Sequence, residues 1–454
     1  MQLVAFGAQD VYLTGNPQIT FFKIVYRRHT NFAIESIEQT FNGNADFGKK
    51  VTCSISRNGD LINRIYLRVE IPSVTVRPGQ AFRWANWLGH VLIRSVEIEI
   101  GGQRIDKHTG EWLNVWNELS QTSGKALGYA NMVGNTPDLT QLVSNPTTAT
   151  TNIVVPGQTL YIPLQFWFCK SPGLALPLIA LQYHEVKINL EMRDYRDCFW
   201  SGSYDQTLPA GSRYTTDLSV VGQMQMNSCS LYIDYVFLDS EERKKFAQVS
   251  HEYLLEQLQI VDESTTIMNP KLKLVLNHPC KELIFLGQRD DIVTDSVSGQ
   301  QLFGKQWFNY TDTPELITGA PLQQISSSGT GGYIDTSISA DLTGNNCIGF
   351  AKLVLNGHDR FSPQRDGRYF NLVQPFQCHE NIPTKGINVY SFALRPEEHQ
   401  PSGSCNMSRI DTAMLNIELS RGIPMNSVTR VKIYATNYNV LRIMSGMGGL
   451  AYSN

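Results

Sequence analysis

Chemistry in this sequence would have to come from a few local pairings. His184-Glu185 and His251-Glu252 each open like the zinc motif HExxH, in which two imidazoles one helical turn apart share a metal. Ile188 and Leu255 stand where the second histidine is required, so neither pair predicts a metal site. His278 with Cys280, and Cys378 with His379, are ligand-type residues whose spacing completes no set. Ser326 to Gly332 is glycine-rich, but it lacks the lysine and the strand-to-helix setting that cradle a phosphate, and reads as a surface loop. Gly446-Met447-Gly448-Gly449 misses the dinucleotide spacing because Ala451 and Tyr452 follow. There is no GxSxG nucleophile elbow, and the carboxylates are too scattered to nominate a glycosidase-like pair. No catalytic residue, cofactor site or metal site is nominated.

Binding chemistry leaves fainter traces. Tyr26-Arg27-Arg28-His29, beside Phe21-Phe22, mixes cations with aromatics as single-strand nucleic-acid sites do. Four residues are too few for that claim, and a buried or interface role is expected instead. Phe82, Trp84 and Trp87, and Phe166-Trp167-Phe168, read as packing, with a sugar-binding platform as the alternative. Asn309-Tyr310-Thr311 and Asn406-Met407-Ser408 fit the N-glycan acceptor pattern. Met1 to Gly7 lacks a basic, then apolar, secretory pattern, and the eight cysteines include no CxxC pair. A reducing compartment, with both asparagines unmodified, is the expectation.

Placing these residues requires the elements. The chain has 454 residues, enough for two large β domains with full cores. Apolar and polar residues alternate over 61–71, at Val96, Ile98 and Ile100, at Val186 to Met192, and over 231–237. The second half repeats the pattern at Leu272/Leu274/Leu276, Leu353/Leu355, 389–394, Leu415/Ile417/Leu419 and 431–435. Long loops are expected at 120–152, 200–223 and 287–345. Trp112, Val115, Trp116 and Leu119 predict a short helix over 111–121. A second helix is expected over 239–259, capped by Asp239 and buried through Phe246, Val249, Tyr253 and Leu254. It would divide two all-β halves between which no sequence repetition is visible. Apolar stretches such as Leu174 to Leu181 are proline-broken and too short to span a bilayer. Thirty-eight basic against 41 acidic residues, a net charge of -3, exclude a strongly basic field for nucleic acid. Charged residues are 17% of the chain, below the usual ~25%, which hints at a surface occupied by partners.

The linear order of blocks resembles a known family. Gly7 to Phe22 and Val25 to Phe32 resemble the opening of major capsid proteins of nucleocytoplasmic large DNA viruses. Leu176 to Val186, Asp234 to Asp239, Tyr390 to Leu394, Gln400 to Ser404 and Asn437 to Ile443 follow in the family's order. The resemblance implies two consecutive eight-stranded antiparallel jelly rolls joined by a short helical linker. Its divisions would be an N-terminal arm at 1–25, a first jelly roll at 26–238, the linker helix at 239–259 and a second jelly roll at 260–454. It implies a structural, non-enzymatic subunit of a virion, assembled in the host cytoplasm, whose homotrimers imitate six-fold packing in an icosahedral shell. Partners would be copies of itself, minor capsid proteins and, through the arm, an internal membrane, with no specific nucleic acid. A carbohydrate-binding jelly-roll protein stays open as the alternative, since that sandwich hosts both classes.

Overall fold

In the computed structural model, residues 7–208, 213–294, 305–314, 344–361, 364–424 and 426–452 are described, with the backbone of 322–324 and 333–335. The alternating segments form the strands their patterns predict. In chain order the first half builds β1 (Phe32–Gln39), β2 (Lys50–Ser54), β3 (Leu61–Glu70), β4 (Ile93–Ile100), β5 (Gln103–His108), β6 (Thr159–Pro163), β7 (Val186–Met192) and β8 (Ser228–Leu238). They pair antiparallel in two sheets, β1-β8-β3-β6 and β2-β7-β4-β5. Ile62, Ile65, Leu67 and Val69 of β3 face Ile98, Ile188 and Leu190 of the other sheet across one core. From Ile65 onward the inward residues of β3 sit at period two, and the three-residue step from Ile62 marks a bulge against β8, so one face of each sheet is buried against the other sheet.

The second half repeats this order. Its strands are β9 (His251–Thr265), β10 (Lys271–Lys273), β11 (Pro279–Arg289), β12 (Ile348–Leu355), a strand in two pieces (His358–Asp359 and Arg365–Asp366, together β13), β14 (Asn388–Ser391), β15 (Ala413–Leu419) and β16 (Thr429–Met444). The sheets are β9-β16-β11-β14 and β10-β15-β12-β13. Adding eight to every strand number of the first half gives the second. Both halves are jelly rolls, and the chain is all-β with two in tandem. A hairpin strand, β17 (Met447–Leu450), folds back on β16 through Ser445 and Gly446, both at positive φ as a tight two-residue turn requires.

Four helices matter here. α1 (Gly110–Ser120) follows β5, and α2 (Ser123–Val133) follows it. α3 is Ser240–Gln248, and α4 runs from a π-helical turn, Tyr369–Val373, into Gln374–Cys378. The expected helix at 239–259 is therefore a correction. Asp239 does cap its start, accepting from Ser240 N at 2.7 Å, but the helix ends at Gln248. Residues 251–259 belong to β9, which pairs with β16 along all fifteen of its residues, and that ladder outweighs local helix propensity. Val249 is exposed, Tyr253 and Leu254 lie in the strand, and Phe246 is half-buried against Leu61, Ala175 and Val236. The expected loop at 120–152 contains α2, and that at 200–223 carries strands Phe199–Tyr204 and Tyr214–Thr216.

Candidate assembly surfaces and the junction between the halves

The strongest device in the molecule is the weld between its jelly rolls, and α1 makes it. Thr109 caps the helix by accepting from Trp112 N at 3.2 Å. Gly110 is required there, because a Cβ would lie 1.9 Å from the His90 carbonyl oxygen. The stripe Trp112, Val115, Trp116 and Leu119 is buried, as expected, but in the other half's sheet rather than its own core. It covers the row Ile260–Tyr434–Ile284–Val389, one residue from each strand of β9-β16-β11-β14. Trp112 and Tyr434 pack in a tilted arrangement with ring centroids 5.4 Å apart.

Buried charges reinforce this contact. Glu111, in the first turn of α1, pairs with Lys432 of β16 and accepts from the Tyr434 hydroxyl at 3.4 Å. A second cluster centres on Glu256 of β9. Its two oxygens take Lys281 Nζ at 2.5 Å and Lys170 Nζ, from the first half, at 2.7 Å. Burial alone would raise that carboxyl, but Lys170, His399 and Lys281 hold it well below the carboxylate range. His379 lies 2.9 Å from Glu282 and 2.8 Å from Glu397. Burial opposes its charge, yet the two carboxylates win and push its pKa up to about 9. Further ties cross the seam: His184 Nδ1 to Gly448 O at 2.9 Å, Tyr183 N to Gly446 O at 2.9 Å, and Trp307 Nε1 to Asp197 O at 2.8 Å. The halves form one block.

Among the described residues, two surfaces of that block are largely uncovered, the second of them beyond the patch where Phe246 packs on Leu61 and Val236. Val11 to Asn31 is exposed throughout, with Tyr12, Leu13, Phe21, Phe22 and Tyr26 among its bare apolar side chains. The outer face of β1-β8-β3-β6 carries Ile34, Tyr66, Tyr161 and Tyr232 among Arg64, Arg68, Glu38 and Asp234. Tyrosine and arginine on an open sheet are the composition of interface centres. Neighbouring Arg64, Tyr66, Trp116 and Lys170 line a cleft of about 760 Å³.

The residues singled out for chemistry are mostly structural. Among the described residues no group of histidine, cysteine and carboxylate could hold a metal ion. His184 serves the seam, and His251 bonds the Phe246 carbonyl at 2.8 Å. His278 occupies a positive-φ position, Cys280 is buried, and His379 joins the ion cluster. The cysteines are free thiols, and burial pushes Cys53 up to about 11 and Cys169 up to about 12, unreactive values. Phe82, Trp84, Phe166, Trp167 and Phe168 are core residues and Trp87 packs half-buried against that core, so both clusters serve packing. Asn309 is buried, its amide nitrogen donating to Gln306 and Thr313, whereas Asn406 is exposed. Ser326 to Gly332 lies outside the described residues. No described helix is long and apolar enough to cross a membrane. The charges at the seam went unnoticed in the sequence, although Lys281-Glu282 interrupting the apolar run of β11 is a signal that could have found them.

Two jelly rolls of one strand order, welded into a single block and open on outer faces, define a double jelly-roll shell subunit. Comparison with known proteins agrees. Residues 20–239 match the family described as "Major capsid protein N-terminus", and 242–449 match "Large eukaryotic DNA virus major capsid protein". The major capsid protein of Phaeocystis pouchetii virus is 47% identical over 100% of this chain and 99% of its own. That of Paramecium bursaria Chlorella virus 1 is 41% identical with the same coverage. A chain of the PBCV-1 virus capsid superposes with a TM-score of 0.71, at 36% identity over 96% of this chain and 100% of that one. The Faustovirus major capsid protein shares the fold with a TM-score of 0.70 at 13% identity, over 96% and 94%. The chain belongs to the major capsid proteins of large eukaryotic DNA viruses. It is a structural protein of the virion capsid, not an enzyme, and works by self-association.

Proposed function

We propose that three copies close into a pseudo-hexagonal capsomer that tiles an icosahedral shell. One observation carries this reading: the chain fuses two jelly rolls of identical strand order into one rigid block, so three blocks offer six similar modules. Three-fold closure then imitates six-fold packing, and lateral repetition needs no other subunit. The exposed arm before β1 reaches under the shell toward minor capsid proteins and an internal membrane, and assembly takes place in the host cytoplasm. Residues 1–25, 26–250 and 251–454 act as arm, first module and second module, with α3 bracing the passage between modules. Light scattering on the purified protein tests the trimer. Three chains of 51.1 kDa are expected, and a monomer at every concentration and salt condition overturns it. Deleting residues 1–20 should leave a folded trimer that assembles poorly. Global unfolding would instead place the arm in the core.

A further inference from the structure

A cavity of about 110 Å³ lies at the seam, walled by Asn114 and Glu118 of α1, by Arg83 and Trp87 of the first half, and by Lys305 and Trp307 of the second. Both indoles are half-buried, and each has one ring face already covered: Trp87 stacks on His90 at 5.7 Å, and the Arg193 guanidinium lies 3.8 Å from the Trp307 centroid. Most polar groups of the wall are tied down. Arg83 donates to Asn86 Oδ1 at 2.9 Å, Lys305 pairs with Asp197 at 3.3 Å, and Asn309 Nδ2 donates to Gln306 Oε1 at 2.8 Å. Asn114 and Glu118, one helical turn apart, are not so served. Asn114 is 2% exposed, yet its Nδ2 meets no acceptor among the described residues. Glu118 has one donor there, Thr384 N at 3.3 Å, and burial raises its carboxyl pKa. Native proteins rarely leave a buried donor unpaired. The backbone is also strained here, with Trp87 at φ 53° and Lys305 at φ 64°. The other five described non-glycine residues at positive φ are three asparagines, a histidine and a serine. A bulky ring has no preference for that region, and such strain gathers at binding sites.

We propose that this cavity binds one edge of a neutral polyhydroxyl compound, a sugar residue or a free polyol, whose hydroxyl accepts from Asn114 Nδ2 and donates to Glu118. Charge selects a neutral ligand. Arg83 and Lys305 oppose a cation, and Glu118 opposes an anion. A hydroxyl is the group that accepts and donates at one atom, as an amide donor beside a carboxylate requires. Size selects an edge rather than a whole ring. A water occupies about 30 Å³ of liquid, so the space equals roughly four waters, or a short run of hydroxyl-bearing carbons. Waters could serve Asn114, but indole ring faces give them no hydrogen bond, whereas the C–H face of a polyol packs against them. Residues of both halves share the wall, so an occupant also braces the seam and raises the stability of the folded chain. The site is contained in one chain and does not depend on the capsomer reading.

Saturation-transfer NMR on the purified full chain tests it. The probes are glycerol and xylitol as free polyols, and the methyl glycosides of xylose, glucose, galactose and mannose, each up to about 50 mM. At least one should show saturable transfer and raise the melting temperature. Asn114→Leu removes the donor and fills the space with an apolar branch, so it should keep the wild-type circular dichroism spectrum and weaken that probe at least about tenfold. Glu118→Gln keeps the shape without the charge and should weaken it about three- to tenfold. Glycosides that bind more tightly than the free polyols identify a glycan as the source, and the reverse order identifies a free polyol. Binding by no probe, or binding that a folded Asn114→Leu leaves unchanged, overturns the assignment and leaves the cavity to water. Should Asn114→Leu misfold, a cryo-EM map of the unmodified protein with the bound probe decides: probe density between Trp87 and Asn114 upholds the site, and water alone, or probe density only elsewhere, overturns it.

Discussion

Replacing Lys432 with methionine isolates the electrostatic part of the weld. The ammonium and the Glu111 carboxylate are both nearly excluded from water, with side-chain exposures of 6% and 8%. Removing one partner of such a pair typically costs 3–5 kcal/mol, because the remaining charge is stranded away from solvent. Glu111 would keep the Tyr434 hydroxyl at 3.4 Å and Arg193 at 3.9 Å, which places Lys432→Met near the lower end, about 3 kcal/mol. Glu111→Gln strands Lys432 instead and should cost a similar amount. The double variant strands neither, so its loss should fall short of the sum by about 2 kcal/mol. Urea unfolding at pH 7 measures all four proteins, followed by circular dichroism and by tryptophan fluorescence. Trp112 and Trp116 lie at the seam, so fluorescence should shift before the sheet signal in the single variants. Single losses below about 1 kcal/mol, or additivity within about 0.5 kcal/mol, would show that the pair contributes nothing specific to holding the halves together.

Three other expectations follow from burial and charge. The folded pKa of His379 is raised to about 9, so its stabilisation is fully present below the unfolded value near 6.5 and fades as pH rises through about 9; a urea midpoint that falls over this window in the wild type, and falls less in His379→Gln, is the expected result. Phe246→Ala should cost about 1–2 kcal/mol in urea unfolding, below the 3–5 kcal/mol of a fully buried aromatic, because the ring is only half-covered by Leu61, Ala175 and Val236. Intact mass of protein from virions should equal the chain value of 51.1 kDa; hexose-sized additions at exposed Asn406 would contradict unmodified asparagines, and additions at Asn309 would require its buried turn to open.

Strand identity was legible where one face of a strand is buried and the other wet. Residues 61–71, 186–192 and 231–237 alternate in the sequence and became β3, β7 and β8, with bounds that agree within three residues. α1 was legible for the same reason, since its stripe has the helical period. The passage 249–259 was misread because His251 to Leu255 suits either period, and only the ladder with β16, more than 160 residues away in sequence, selects the strand. α2 was missed for the opposite reason. Gly124 and Gly128 weaken it, Leu127 is exposed, and only Tyr129 and Val133 are buried, so no stripe exists to be seen.

What no local pattern could convey is the destination of a buried face. The α1 stripe predicts burial, but it reads the same whether the helix packs on its own sheet or on its neighbour's. The partners Ile284, Val389 and Tyr434 lie about 165 to 325 residues downstream. The duplication is hidden in the same way. Tyr434 and Tyr232 both lie on the eighth strand of their jelly roll, paired with the third, and α1 and α4 both lie between a fifth and a sixth strand, although the two halves show no sequence repetition. Jelly-roll order constrains which strands pair and where helices may leave, but it leaves side chains free to diverge once one helix is sealed within the chain and the other must remain on the surface. That asymmetry appears in composition: tryptophans on the stripe of α1, which is permanently buried, against Leu372, Val373 and Phe376 on the exposed side of α4, which the isolated chain must keep in water.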